Sequence, residues 1–573
     1  MIVDSLRLDN GTALSAQVVI VGGGVAGITM ALELGGRGIE TLLLESGGHK
    51  PDDATRDLYR GESTEIPYQF ADGCRSRFLG GSSNCWGGWC RPFDGWDFQK
   101  RDWVANSGWP IAAADLAPYY RLTHRYLELG PYDYDIDAVV RTIGRPNVRR
   151  IPLPTGRVWD SVSRFSPPTR MGKRFRAELE RSRQVRVMLH ANVVEIETDS
   201  AARDVTRLQI RTLSGKAFTA TGRVFVLATG GIENARLLLA SNRVRPRGLG
   251  NDHDVVGRYY MDHPRLYSGS IAFLGDWSRN LLFDVKYHFH NRAVTAIKTP
   301  IAAALALTRE VQERERITNA KVWFSSVFPG DNTAVSEALA SIKQRLQHKE
   351  SPDSSLGREL FALAKHPVNT AGFIFSRIHK TRALVRDVNF VAIAEPEPDP
   401  TARVTLSPER KDALGMPRVR VGWKLSEIVR RTFDRNFAII ADELQKAGIA
   451  HVTLGEPLEG RTDWPPSLDP HGTWHHMGAT RMHDSPRLGV VDRNCRVHGM
   501  SNLFVAGSSV FPTAGANYPT PTIAALAIRL SDHIAEQLKA RELPLPASLD
   551  TPRGNAVSAS PIAARRIRED ACW

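Results

Sequence analysis

The segment that most constrains the fold is a glycine turn set between two apolar runs. Gln17-Val18-Val19-Ile20-Val21 leads into Gly22-Gly23-Gly24-Val25-Ala26-Gly27, an apolar helical pattern continues to Leu34, and Thr41-Leu42-Leu43-Leu44 ends at Glu45. The order is strand, glycine turn, helix, strand, which opens a doubly wound α/β sheet. Gly22 permits the tight turn, Gly24 lets the backbone approach a pyrophosphate, and Gly27 lets the helix pack on the strand. The helix N-terminus adds amide donors and a positive dipole end. Glu45 stands where a carboxylate binds the two hydroxyls of an adenosine ribose, which favours NAD or FAD over NADP.

The chain has 573 residues, 42% of them hydrophobic and 24% charged, which suits a large folded enzyme and excludes a disordered or fibrous chain. No apolar run approaches the roughly 18 residues that span a bilayer, and MIVDSLRLDNGT lacks the basic and apolar regions of a secretory signal. A cytoplasmic location is the expectation, with export beside a partner subunit left open. A formal charge of +13 raises the question of an anionic partner. No stretch alternates aromatics with Arg or Lys as a nucleic-acid module would, so that partner is not expected. Five cysteines without a CxxC pair exclude a disulfide framework and a zinc module, and no metal site is expected.

From Arg75 to Trp109 the chain carries five of its twelve tryptophans, with Gly80, Gly81, Gly87 and Gly88 interleaved. Such glycine density defeats regular structure and implies a loop lying against something flat or bulky, or else a tryptophan-rich surface loop pinned to the core. Residues 184–194 read as one strand with a hairpin partner from Val205. Arg223–Ala228 reads as a buried strand entering Thr229-Gly230-Gly231, with a helix from Asn234. Between about 266 and 470 the pattern changes, with a helix over Ala334–Leu346 and a strand at Arg403–Leu406. The basic run Arg377, His379, Lys380, Arg382, Arg386 reads as a solvated helix face, with contact to an acidic substrate or partner as the alternative. Asn502–Ala506 is a strand that breaks at Gly507 and leads to a helix from Thr522 to Lys539. Beyond Ala540 the Pro, Ala, Ser and Arg content predicts a poorly ordered tail.

Taken together, VVIVGGGVAGITMALEL, RFLGGSSNCWGG, VFVLATGGIENARLLLAS, VVGRYYMDHP, HHMGATRM and NLFVAGSSVFPTAGANYPTPTIAALAIRLSDHI resemble the glucose-methanol-choline (GMC) family of FAD-dependent oxidoreductases. HHMGATRM with VVDRNCRVHG is most similar to the bacterial branch holding pyranose oxidases and sugar or gluconate dehydrogenases. The resemblance implies a Rossmann-like FAD-binding domain plus an α+β substrate domain with an antiparallel sheet. The FAD domain would take residues 1–135, 185–265 and 485–540. A cap segment would take 136–184, the substrate domain 266–484, and the tail 541–573. FAD would lie against Gly22, Gly24, Gly27 and Glu45, the loop residues Gly80, Gly81, Ser82, Asn84 and Cys85, then Val193, Ala228, Gly507, Pro519 and Thr520. Family members with covalent flavin use a histidine where this chain has Cys85, so a histidyl link is excluded. Cys85 is read as a small buried hydrophobe and the FAD as non-covalent, a thioether being the alternative.

Oxidising an alcohol needs a base for the hydroxyl proton while hydride leaves carbon for flavin N5, and histidine titrates nearest the working pH. The family motif puts that base at His475, with His476 and His471 structural or substrate-lining. Where the family has a second Asn or His, this chain has Tyr518, preceded by Asn517. Either Tyr518 supplies the hydrogen bond to the substrate oxygen or a backbone shift presents Asn517. His263, in MDHP, is expected to order a loop at the domain junction. The reading is oxidation of a sugar, glycoside or polyol, with oxygen, a quinone or a cytochrome subunit as acceptor and oligomeric state unspecified. A lyase of the same fold with a non-redox FAD is the alternative, prompted by Tyr518.

Overall fold

The computed structural model describes residues 1–67, 74–287, 299–331, 333–346, 355–379, 382–469 and 473–540. His471, Lys380 and the tail 541–573 lie outside these residues. The first of its sheets has eight strands. In spatial order, Ile2–Asp4, Val185–Leu189, Thr41–Leu44, Ala13–Val21 and Ala217–Leu227 are followed by Val205–Arg211 and Asn192–Thr198. Leu503–Val505 adds a parallel pairing to the end of Ala217–Leu227, from Phe225 to Leu227. The first five strands run parallel, and Val18, Val19 and Ile20 are fully buried, as a strand covered on both faces requires. Helix Val25–Gly36 packs against helix Thr520–Lys539, which also meets Ala113–Leu127. Pro521 sits in the first turn of its helix, where its missing N–H costs nothing.

One expected strand is two. Residues 184–194 divide at His190, whose φ of +56° turns the chain out of the extended region. Val185–Leu189 then pairs with Thr41–Leu44, while Asn192–Thr198 forms the far edge of the sheet and the hairpin with Val205–Arg211.

The second sheet is antiparallel, in the order Arg265–Ser268, Asp387–Ala394, Ala320–Val327, Ile301–Leu307, Val158–Phe165 and Trp89–Cys90. Helix Glu427–Lys446 covers it, with Phe433 and Phe437 stacked and Phe437 stacked on Phe390. The molecule is therefore α/β, a Rossmann-like sheet beside an antiparallel sheet with its own core. Two segments depart from the sequence reading. Trp89–Cys90 is an edge of the second sheet. The strand Arg403–Lys411 joins Pro417–Gly422 and Gly61–Ser63 in a small sheet. Val404, Val419 and Val421 turn into the core of the first sheet, which is what draws that strand away from the second. Among the described residues no helix is long and apolar enough to cross a membrane, and no cluster of metal-ligating side chains occurs.

Candidate active site

A cavity of about 500 Å³ runs from the glycine turn to the edge of the antiparallel sheet. At its first end Gly22, Gly23 and Gly24 form the wall. Gly22 has φ +107°, and a Cβ there would sit 2.5 Å from the Ala228 carbonyl oxygen. A Cβ on Gly27 would lie 1.9 Å from the Gly22 oxygen, so Gly27 packs the turn and does not line the cavity. Gly24, which caps the helix without a side-chain hydrogen bond, meets only the Gly81 Cα, at 3.9 Å. Glu45 is buried on the same wall, its two carboxylate oxygens accepting from the Gly23 and Gly47 amides, each at 2.9 Å. Burial pushes its carboxyl upward, the two amides opposing. Arg77 lines the cavity close by and donates to Ser46 Oγ at 2.8 Å.

These residues fit FAD. A cradle that any Cβ would fill, an uncapped helix N-terminus and a carboxylate at the end of the second strand are the donor set that a dinucleotide needs.

The glycine-tryptophan loop contributes unequally. Gly81, Ser82, Cys85, Trp86 and Trp89 face the cavity. Gly80 and Asn84 do not: Asn84 Nδ2 donates to the Leu79 oxygen at 3.1 Å, and a Cβ on Gly80 would strike the Asn84 amide at 2.9 Å. They brace the loop. Cys85 is half-buried on the cavity wall, with Sγ donating to the Ser82 oxygen at 3.3 Å, where burial had been expected. Trp96 and Trp109 pack into aromatic clusters, and the Trp103 indole donates to the Ile317 oxygen, so the tryptophans divide between cavity wall and core. Val193, Ala228, Gly507, Pro519 and Thr520 line the cavity.

At the other end the chain folds two distant motifs together. Met261 and Met477 exchange backbone hydrogen bonds of 3.0 and 2.9 Å as an antiparallel bridge. Two residues further along each segment, in opposite senses, His263 falls opposite His475. Their Nδ1 atoms are 2.8 Å apart and their rings perpendicular. His263 Nε2 lies 2.7 Å from the Gly515 carbonyl oxygen, which only accepts, so that nitrogen carries the proton. Burial pushes His263 down to about 4, so it is neutral and its Nδ1 is an acceptor. The proton between the rings therefore belongs to His475 Nδ1. Thr473 Oγ1, also 2.8 Å from that nitrogen, donates its own proton to Asp262 Oδ1 at 3.0 Å. His475 is thus held as the Nδ1–H tautomer, leaving the Nε2 lone pair for the cavity that this residue lines. Burial, then His263, His476 and Arg265, hold its imidazole well below the usual histidine range.

The backbone fixes the pair. Asp262 Oδ1 accepts the His475 N–H at 2.8 Å, and the preceding Trp474 is in the left-handed region at φ +60°, an uncommon place for a bulky residue. Gly515 N–H donates to Glu395 at 3.3 Å, and Arg101 clamps Glu395 with bonds of 2.7 and 2.6 Å. His476 also lines the cavity, packs its backbone on Gly231, and is pushed by burial down to about 3.

Tyr518 faces His475 edge-on at 5.5 Å between ring centres, and Trp89 and Trp323 complete an aromatic wall. Asn517 is buried and turned away, with Nδ2 donating to the Pro92 oxygen and Asp94 Oδ2, each at 3.1 Å. Of the two alternatives, only Tyr518 reaches the cavity. Arg265 lines it as well, ion-paired with Asp469. Sequence reasoning missed Arg265, Asp262 and Thr473, and read His263 only as a loop anchor.

A dinucleotide cradle continuous with a buried, tautomer-fixed histidine defines a nucleotide-cofactor oxidoreductase. Residues 398–527 match the family described as GMC oxidoreductase. The fructose dehydrogenase large subunit of Gluconobacter japonicus is 24% identical over 92% of this chain and 99% of its own length. The C-glycoside 3-oxidase of Microbacterium trichothecenolyticum is 36% identical over 24% of this chain and 25% of its own. Among solved structures, formate oxidase covers 94% of this chain and 100% of its own at 17% identity and TM-score 0.53. Pyridoxine 4-oxidase from Mesorbium loti covers 90% and 99% at 16% identity and TM-score 0.53. Residues 398–527 are thus a GMC oxidoreductase C-terminal domain. The chain is an FAD-dependent oxidoreductase acting on CH–OH groups.

Proposed function

We propose that the substrate is a sugar, glycoside or polyol and that His475 Nε2 takes the proton of its reacting hydroxyl. The observation that carries this reading is the Nδ1–Nδ1 contact with His263, which fixes the proton on the inner nitrogen and points the base outward. As the hydroxyl proton arrives at Nε2, the Nδ1–H bonds to His263 and Thr473 stabilise the positive charge on the ring. Tyr518 is the second hydrogen-bonding group, since a phenol both donates and accepts. Burial raises its phenol, so it stays protonated through the neutral range. Bound FAD supplies the acceptor for the hydride that leaves the carbinol carbon.

The aromatic wall of Trp89, Trp323 and Tyr518 suits the apolar face of a pyranose or polyol. Relatives named for fructose, C-glycosides and paromamine support the same class. The FAD is held without a covalent bond, by a cofactor unit built from 1–135, 185–265 and 485–540. The residues 136–184 and 266–484 form the substrate side, apart from the strands Arg403–Lys411 and Pro417–Gly422, which join the core of the first sheet, and oxygen, a quinone or a redox subunit reoxidises the flavin. Anaerobic mixing with a panel of sugars, glycosides and polyols tests the reading through the flavin absorbance.

A further inference from the structure

Helices Leu356–Lys365 and Pro367–His379 turn an apolar stripe outward. Leu356, Leu360 and Ala364 on the first helix, and Val368, Ala371, Phe375 and Ile378 on the second, recur at steps of three or four, the spacing of one face of each helix. Of the sixteen large hydrophobic side chains exposed among the described residues, seven lie between Leu356 and Ile378. Phe361 is 68%, Val368 82% and Ile378 66% exposed. Soluble surfaces rarely collect apolar side chains this way without a contact to make. The inner faces of the two helices pack on each other and on helix Ala334–Leu346, and Phe373 packs on Gly330.

Charge selects the occupant. The only acid between 355 and 379 is Glu359, which is buried and accepts from Ser341. The exposed charges are Arg358 and Lys365, and Arg377, Lys380, Arg382 and Arg386 follow in sequence. Apolar side chains outward, basic side chains at the margins and no exposed acid form the pattern of a helix lying in the headgroup layer of an anionic bilayer. The two helices have 10 and 13 residues, too short to cross one. We propose that this helical pair docks the enzyme on an anionic membrane surface, lying on the bilayer and not spanning it.

The test is flotation of the full-length holoenzyme with vesicles of phosphatidylcholine alone and with about one third phosphatidylglycerol. The proposal predicts binding at least about tenfold stronger to the anionic vesicles, weakened by salt. Phe361→Glu with Phe375→Glu, and separately Arg358→Glu with Lys365→Glu, each reduce it about tenfold or more, with flavin spectrum and solution activity unchanged. Three results would overturn it. Equal or absent binding to both vesicles removes the lipid. A dimer that Phe361→Glu converts to monomer shows a second copy on this face. Vesicle binding that appears only after deletion of 541–573 shows the tail occupying it.

Discussion

His263 Nδ1 and His475 Nδ1 stand 2.8 Å apart, and the Gly515 carbonyl on the far nitrogen of His263 decides which of them holds the shared proton. His475→Ala removes the proposed base and lowers kcat by about 10²–10⁴-fold. His263→Ala leaves Nδ1–H with Thr473 alone and frees the ring to tilt, with a smaller loss of up to about a hundredfold. Its signature is a fall in kcat with KM little changed and an altered acid limb of the pH profile. A His263→Ala enzyme with a wild-type kcat and pH profile would reduce His263 to a packing residue.

Stability should carry the trace of the same histidine. Burial lowers His263 to about 4 in the fold, while the unfolded side chain titrates near 6.5. Between those values the unfolded state binds more protons, so the contribution is full above about pH 6.5 and is lost as pH falls through about 4. The window is worth roughly 3 kcal/mol at most. Asp97, raised by burial, Asp94 and Glu395 to about 7, works in the opposite sense, so the quantity to measure is a difference. Denaturant unfolding of wild type and His263→Asn should give a stability gap that narrows from pH 6.5 to 4. A gap that widens on acidification contradicts the assignment.

The two cradle glycines separate cofactor from fold. Ala at Gly27 meets the Gly22 oxygen at 1.9 Å and should abolish soluble folded protein. Ala at Gly24 meets nothing closer than 3.9 Å, at an extended φ of −86°, so Gly24→Ala should fold with wild-type circular dichroism and lose FAD. Acid precipitation of the wild type should leave a colourless pellet and yellow supernatant; a yellow pellet that turns colourless in Cys85→Ser would establish a thioether instead.

How far the sequence reached depends on whether chemistry was local. Gly22, Gly24, Gly27 and Glu45 occupy one strand-turn-helix-strand unit whose physics is complete within the segment, and His475 sits in a motif of its own. The His263 partnership was not legible, because it exists only through the antiparallel register of Met261 on Met477, a long-range pairing that neither segment announces. Gly80 and Asn84 look like cofactor contacts by position, yet their side-chain and backbone space is taken by each other. The break at His190 was hidden because the residues on both sides alternate as strands do.

Tyr518 and Asn517 should part company in the laboratory. Tyr518→Phe removes one hydroxyl from the cavity and should cost about tenfold or more in kcat with stability within about 1 kcal/mol of wild type. Asn517→Ala leaves a buried Asp94 oxygen short of a donor and should lower stability by about 1–3 kcal/mol. Thermal unfolding and steady-state kinetics on both variants check the pair. A fully active Tyr518→Phe enzyme removes the phenol from the chemistry.

The most direct measurement is anaerobic stopped-flow absorbance of the flavin on mixing wild type and His475→Ala with sugars, glycosides and polyols. The account predicts that at least one of these bleaches the wild-type flavin in a single turnover and that His475→Ala slows this by about 10²-fold or more. Substrate turnover with the flavin remaining oxidised would establish a lyase, and bleaching at the same rate in His475→Ala would remove the histidine from the reaction.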